Sequence, residues 1–220
     1  MGRSGFEPSF EDLPAELPIF PLPGVLLLPG GRLPLNIFEP RYLAMTRAAL
    51  AGPRLIGMIQ PSQEAADLGA ASTFPVGCAG RIVAFSETDD GRYLITLAGL
   101  LRFRIAQELP ASPEGFRRVR PDFQPFRADL EQAAGEPVDR PVLVAALKRY
   151  FELHGLTADW AAIEKAPDER LVTSLAMLCP FAPAEKQVLL EAPTLGARAA
   201  AMIAILRMGA HEPGSESRPN

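Results

Sequence analysis

The apolar residues of this 220-residue chain repeat in a strand-like pattern up to about residue 125 and in a helical one from about residue 138, so one layer of structure cannot satisfy both. Before the change, Leu101-Arg102-Phe103-Arg104-Ile105 alternates strictly. That pattern predicts a strand with Leu101, Phe103 and Ile105 on a core face and both arginines on a wet one. Upstream, Arg81–Phe85 and Tyr93–Leu97 flank Asp90-Gly91, and a two-residue Asp-Gly turn predicts a hairpin. Leu17–Phe20, Arg32–Leu35 and Leu55–Ile59 are further strands, with Pro18 and Pro34 confining the first two to edges or bulges. The exception is Arg41–Leu50, where Tyr42, Met45 and Ala49 follow Pro40 at helical spacing. It reads as one helix crossing a mainly antiparallel sheet or barrel.

After the change, Val138–His154 places Leu143, Ala146, Leu147, Tyr150 and Phe151 on one stripe, with Asp139 as cap, Pro141 in the first turn and Gly155 beyond the end. A second helix is expected over Asp168–Leu178, stopped by Pro180, and a third from Pro183, carrying Val188, Leu189 and Leu190. The last starts at Thr194, carries Leu195, Ala199, Met202, Ile203 and Leu206, and stops at Gly209. Short helices are marginal alone, so these must pack on one another. The expected organisation is α+β: a flexible tail over 1–13, a β domain over 14–127, a linker over 128–137, a helical subdomain over 138–209 and a flexible tail over 210–220.

Composition enters by exclusion. Lys and Arg number 22 against 26 Asp and Glu, a net charge of −4, which disfavours nucleic acid as a general partner. Two cysteines and two histidines, far apart in sequence, supply neither a zinc site nor a disulfide framework, and the expected location is cytoplasmic. No apolar run reaches the roughly 18 residues of a membrane span, and the acidic start is unlike a signal peptide. No membrane, metal or cofactor is therefore expected.

The residues capable of chemistry have local explanations. None of the three lysines, Lys148, Lys165 and Lys186, lies in a Gly-Lys-Ser/Thr phosphate loop. His154 sits at a helix end, where its ring can meet unpaired carbonyls. Ser174 with Lys165 or Lys186 is a conceivable dyad, but a serine among Leu171, Val172 and Leu175 more often bonds back to the preceding turn. Asp89-Asp90 and Asp168-Glu169 suit a turn and a helix start. Cys78 and Cys179, without cationic neighbours in sequence, read as buried and inert. Arg117, Arg118 and Arg120, near Phe116 and Phe123, form the one basic cluster: either an RNA-contacting strand or, the stronger reading, a solvated sheet face.

One ordered set of motifs goes further. Leu17-Pro18-Ile19-Phe20-Pro21-Leu22, Leu28-Pro29-Gly30, Leu33-Pro34-Leu35-Asn36-Ile37-Phe38-Glu39-Pro40-Arg41-Tyr42, Val76-Gly77-Cys78-Ala79-Gly80-Arg81-Ile82, Asp90-Gly91-Arg92-Tyr93 and Gly99-Leu100-Leu101-Arg102-Phe103 resemble the substrate-binding N-terminal domain of the Lon protease family. Pro183–Glu191 is similar to that family's helical part, and the likeness runs over about 17–208. The resemblance implies a PUA-like twisted β-barrel or sheet with one crossing helix, followed by a C-terminal α-helical bundle. It also implies a non-catalytic polypeptide-binding module; the ATPase and protease modules of full-length members are expected to be lacking. Its partners would be unfolded or apolar polypeptide segments, with a separate protease or chaperone as a further partner. Within this reading Phe38, Glu39, Arg41 and Tyr42, which join a strand to the helix, are the substrate-binding residues. The plainer alternative is that Pro40 starts the helix, Glu39 and Arg41 pair locally, and Phe38 and Tyr42 pack. Two rival functions stay open: a PUA-like RNA-binding module using Arg117, Arg118 and Arg120, and a small hydrolase with an unrecognised nucleophile.

Overall fold

The computed structural model describes residues 9–62, 72–130 and 137–210, which fall into two compact units divided between Ala133 and Ala134. The first unit holds six strands and a helix: β1 (Leu17–Pro21), β2 (Arg32–Ile37), α1 (Pro40–Ala51), β3 (Leu55–Ile59), β4 (Val76–Glu87), β5 (Tyr93–Leu109) and β6 (Arg117–Asp122). The sheet order is β2-β5-β4-β3-β1-β6, and β5 pairs with β6 as well, so the ladders run β5–β4–β3–β1–β6 and return to β5. The 17 residues of β5 make this possible. Its first part pairs with β2 from Tyr93 to Ala98, and its last part with β6 from Arg104 to Leu109. Every pairing is antiparallel except β1 with β3, between which the chain makes β2 and α1.

Leu17, Ile19, Leu55, Ile59, Ala79, Leu101, Phe103, Val119 and Phe123 form one buried cluster. The ring of Phe103 fits because β3 and β4 present glycines beneath it. A Cβ on Gly57 would come within 2.8 Å of Phe103 Cζ, and one on Gly77 within 2.7 Å. α1 lies against β1 and β3, burying Tyr42, Met45, Thr46 and Ala49.

Three expectations change. β2 is an edge strand, as Pro34 suggests, but β1 lies between β3 and β6 with Pro18 opposite Arg118. Burying Leu17 and Ile19 completely is worth about 1.5–3 kcal/mol each, more than the one ladder bond of about 1 kcal/mol that Pro18 cannot donate. The hairpin turn has three residues rather than two. Thr88 N–H bonds to Arg92 C=O and Gly91 N–H to Thr88 C=O, both at 2.9 Å, and only Gly91, at φ 78°, is left-handed.

Arg102 is not on a wet face. It is 4% exposed, its Nε and Nη2 donate to Asp129 at 2.9 and 2.7 Å, and its guanidinium lies 4.8 Å from the Phe126 ring centre. Residues 128–130 complete a 3₁₀ segment, Gln124–Leu130, held to β5 by this ion pair. Before β1, Phe10–Asp12 form a 3₁₀ turn, and Phe10 and Leu13 pack against the core. The remainder of the expected tails and linker (1–8, 131–136 and 211–220) lies outside the described residues.

The second unit contains α2 (Arg140–Leu153), α3 (Trp160–Lys165), α4 (Asp168–Leu178), α5 (Pro183–Glu191) and α6 (Leu195–Gly209). α6 touches α2, α4 and α5. Asp139 caps α2 by accepting from Val142 N–H at 3.2 Å, and Thr194 caps α6 through Ala197 N–H at 3.1 Å. His154 Nε2 lies 3.2 Å from Gly209 C=O, joining the ends of α2 and α6, and its ring stacks on Tyr150 with centres 4.2 Å apart. α3 has no counterpart in the sequence reading; at six residues it is too short to show a period.

Candidate functional site

β2 ends at Ile37, and the chain turns into α1 through Phe38, Glu39 and Pro40. Pro40 occupies the first helical position, where its missing N–H costs nothing. This short corner sets four side chains by different means. Tyr42, one turn into α1, is buried against Phe20 of β1, ring centres 4.1 Å apart. Arg41 lies over the ring of that tyrosine at 4.6 Å and reaches back to Glu39, its Nε and Nη2 at 3.0 and 2.8 Å from Oε2. Both charged side chains are about half exposed. Burial pushes the Tyr42 hydroxyl above its ordinary range; the nearby cations Arg41 and Arg117 oppose the shift and Glu39 adds to it. A phenol held protonated in this way binds by shape and by its ring, and does not act as a base.

Phe38 behaves differently. It is 63% exposed and is not the packing residue that the plainer alternative assumed. Glu39, Arg41 and Tyr42 thus form one stacked and paired group, with Phe38 as an apolar ring projecting beside it. The four residues share one corner; three contact one another, and one offers uncovered hydrophobic surface.

The basic cluster is held locally. Arg117 pairs with Glu108 at 2.7 Å and Arg118 with Glu16 at 3.2 Å, while Arg120 donates to Gln107 Oε1 at 2.8 Å. Two of the three cations already face carboxylates, which is the geometry of a solvated sheet face. In the helical unit, Ser174 is half-buried on α4, and Lys186 is buried with its Nζ 3.3 Å from Met177 C=O. Burial pushes the Cys179 thiol up to about 11, opposed by the Lys186 charge, and burial also lowers Lys186. Cys78 is fully buried. Both thiols match the inert reading.

The sequence reading missed the far end of the β4–β5 hairpin. β3 pairs with β4 only as far as Arg81, and beyond it Val83, Phe85 and, on β5, Leu94 are 47%, 45% and 46% exposed. An apolar run there looks like core. The irregularity between Ile82 and Ala84, which breaks the alternation, leaves no mark in composition. Among the described residues there is no group of three or more metal-ligating side chains, and no helix is long and apolar enough to cross a membrane.

A family model described as the ATP-dependent protease La (LON) substrate-binding domain matches residues 16–208. Among curated proteins, the Lon protease of Anaeromyxobacter dehalogenans is 35% identical over 104 residues, which are 47% of this chain and 12% of that protein. Lon protease 2 of Myxococcus xanthus is 34% identical over 104 residues, 13% of its length. The chain thus matches about an eighth of the length of these relatives. A crystal structure of a Lon N-terminal domain protein from Xanthomonas campestris superposes with a TM-score of 0.60 at 22% identity, covering 86% of this chain and 97% of that one. At that identity the likeness concerns the fold.

Proposed function

The chain belongs to the LON substrate-binding domain family, and from that premise we propose that it recognises exposed apolar segments of other polypeptides by non-covalent contact, without itself catalysing a reaction. The observation that carries this reading is the exposed ring of Phe38, fixed at the corner between an edge strand and α1 beside the Glu39–Arg41 pair and the buried Tyr42. The open Phe38 ring offers apolar area that an incoming polypeptide segment would cover, which is the kind of contact this reading requires. Glu39 and Arg41 frame the apolar contact with one charge of each sign, and Tyr42 supplies the stiff base. A module that only grips its target suits a partnership with a protease or a chaperone that processes what is held.

Fluorescence anisotropy with a labelled, permanently unfolded polypeptide tests the reading, the same polypeptide in its folded state serving as control. Covering an aromatic ring is worth about 1.5–3 kcal/mol, so Phe38→Ser is expected to weaken binding about tenfold or more while leaving the melting temperature unchanged. Equal weak signals for unfolded and folded polypeptide would remove the basis of the proposal. Binding that Phe38→Ser leaves intact would move the site elsewhere.

A further inference from the structure

Beyond the contact of β4 with β3, the segments β4 Ile82–Glu87, β5 Tyr93–Ala98 and β2 form a three-stranded arm with two open edges among the described residues. They are not alike. The β2 edge carries Pro34, opposite Thr96, which offers no N–H to an incoming strand and blunts that side. The β4 edge, Val83-Ala84-Phe85-Ser86-Glu87, has neither proline nor lysine, and all five residues are exposed.

Backbone alternation fixes what this edge presents. Thr88 N–H is turned to Arg92 across the hairpin. Counting back two at a time, Ser86 and Ala84 also face β5, so Phe85 and Glu87 turn their N–H and C=O groups to the open side. The last bond on that side is Ile82 N–H to Arg54 C=O at 2.9 Å. Charge is graded along the edge: Arg54 and Arg81 stand at its base, and Glu87 and Asp89 at its tip. No hydrogen bond or ion pair engages the Arg81 or Asp89 side chains among the described residues.

We propose that this edge pairs with the same edge of a second copy of the chain, antiparallel about a two-fold axis at Phe85. That register sets Phe85 opposite its own copy as a hydrogen-bonded pair and Val83 opposite Glu87; Leu55 holds the backbone position opposite Arg81, so the ladder ends there and the Arg81 side chain meets the Asp89 side chain of the other copy beyond its end. A graded edge is complementary to itself only when reversed, which is the relation a two-fold axis imposes. The two Phe85 rings fall on the same face, where directly opposed aromatic residues attract. The inference is independent of the Phe38 reading, because Phe38 lies in the β2–α1 corner and the proposed interface lies on β4.

Sedimentation velocity over a range of chain concentrations tests it, and charge exchange decides it. The unaltered chain is expected to dimerise reversibly. Each contact between Arg81 and Asp89 occurs twice, so Arg81→Glu and Asp89→Arg are each expected to weaken the dimer about tenfold, and the double exchange to restore it. Phe85→Asp, at an exposed position, tests the axis should the Arg81 variant fold poorly. Hydrogen exchange should show the Phe85 and Glu87 amides protected in the dimer and open on dilution. A chain that stays monomeric at the highest concentration overturns the proposal, as does a dimer indifferent to Phe85→Asp or a double exchange no tighter than the single variants. Protection of those amides only when an alternating apolar peptide is added would assign the edge to a foreign strand, and would equally overturn it.

Discussion

Asp129→Ala isolates the interaction that holds the segment after β6 to the sheet. Arg102 presents its backbone N–H, Nε and Nη2 to the Asp129 carboxylate at 2.9, 2.9 and 2.7 Å, with the two side chains 5% and 10% exposed. Truncating Asp129 leaves a buried guanidinium and a main-chain amide facing the space its carboxylate filled. Breaking a buried pair from one side costs about 3–5 kcal/mol, against a total stability of about 5–15 kcal/mol for a protein of this kind. The face of Phe126, still over the guanidinium, offsets about 1 kcal/mol of the loss, so about 3 kcal/mol is a reasonable central value. With a urea slope of about 2 kcal/mol per molar, the midpoint of the far-UV circular dichroism transition of the sheet should fall by about 1.5 M. Replacing both partners, Arg102→Met with Asp129→Leu, should return the midpoint to within about 0.5 M, because no charge is left stranded. Hydrogen exchange supplies a local readout, since the Arg102 amide should lose protection in Asp129→Ala before its strand neighbours do. A midpoint shift under about 0.5 M with the Arg102 amide still protected would refute this reasoning.

Tyr42→Ala empties a buried site against Phe20 and should cost about 3–5 kcal/mol by thermal melting, whereas Phe38→Ser, just before α1, should change stability by less than about 0.5 kcal/mol. Gly99→Ala would place a Cβ 2.0 Å from the Leu28 carbonyl oxygen and should cost about 3 kcal/mol or more, while Gly115→Ala, strained only by its φ of 86°, should cost about 1–2 kcal/mol; urea unfolding of both compares the two mechanisms. The Cys179 thiol, ordinarily near 9 and raised to about 11, keeps its proton longer in the folded chain than in the unfolded one. Its contribution to stability is therefore present below pH 9 and lost between about 9 and 11, and the depressed Lys186 acts in the opposite sense because the unfolded chain holds that proton longer. Thiolate absorbance should titrate near pH 11, and Lys186→Met should move it higher by removing the cation that favours the thiolate.

The helical half was largely legible because a period near 3.6 with capping residues is a local signal. Asp139, Thr194, Pro183 and the stripe Leu143, Ala146, Leu147 and Tyr150 lie where their spacing puts them. The strands themselves were legible in the first half, but their neighbours were not. Pro18 marks an edge in most sheets, and only the partners that meet Leu17 and Ile19 from elsewhere in the chain override it. Arg102 alternates like a wet residue, and Asp129, 27 positions later, is what makes its burial tolerable. At the site, the Glu39–Arg41 pair and the buried Tyr42 follow from a local corner, whereas the exposure of Phe38 depends on what the rest of the fold leaves uncovered. The open hairpin edge depends on where β3 stops, which no local pattern records.

The insertion of β1 between β3 and β6 has a consequence during synthesis. Leu17 faces Val119, so the first strand emerges from the ribosome roughly a hundred residues before one of its two neighbours exists. Until residue 122 has cleared the exit tunnel, Leu17, Ile19 and Phe20 have no complete seat, and translation must finish the whole sheet before its opening segment is sheltered. Nascent chains halted within the β5–β6 connection should therefore be protease-sensitive at β1, and synonymous codons that slow elongation there should lengthen the interval in which a chaperone can capture them.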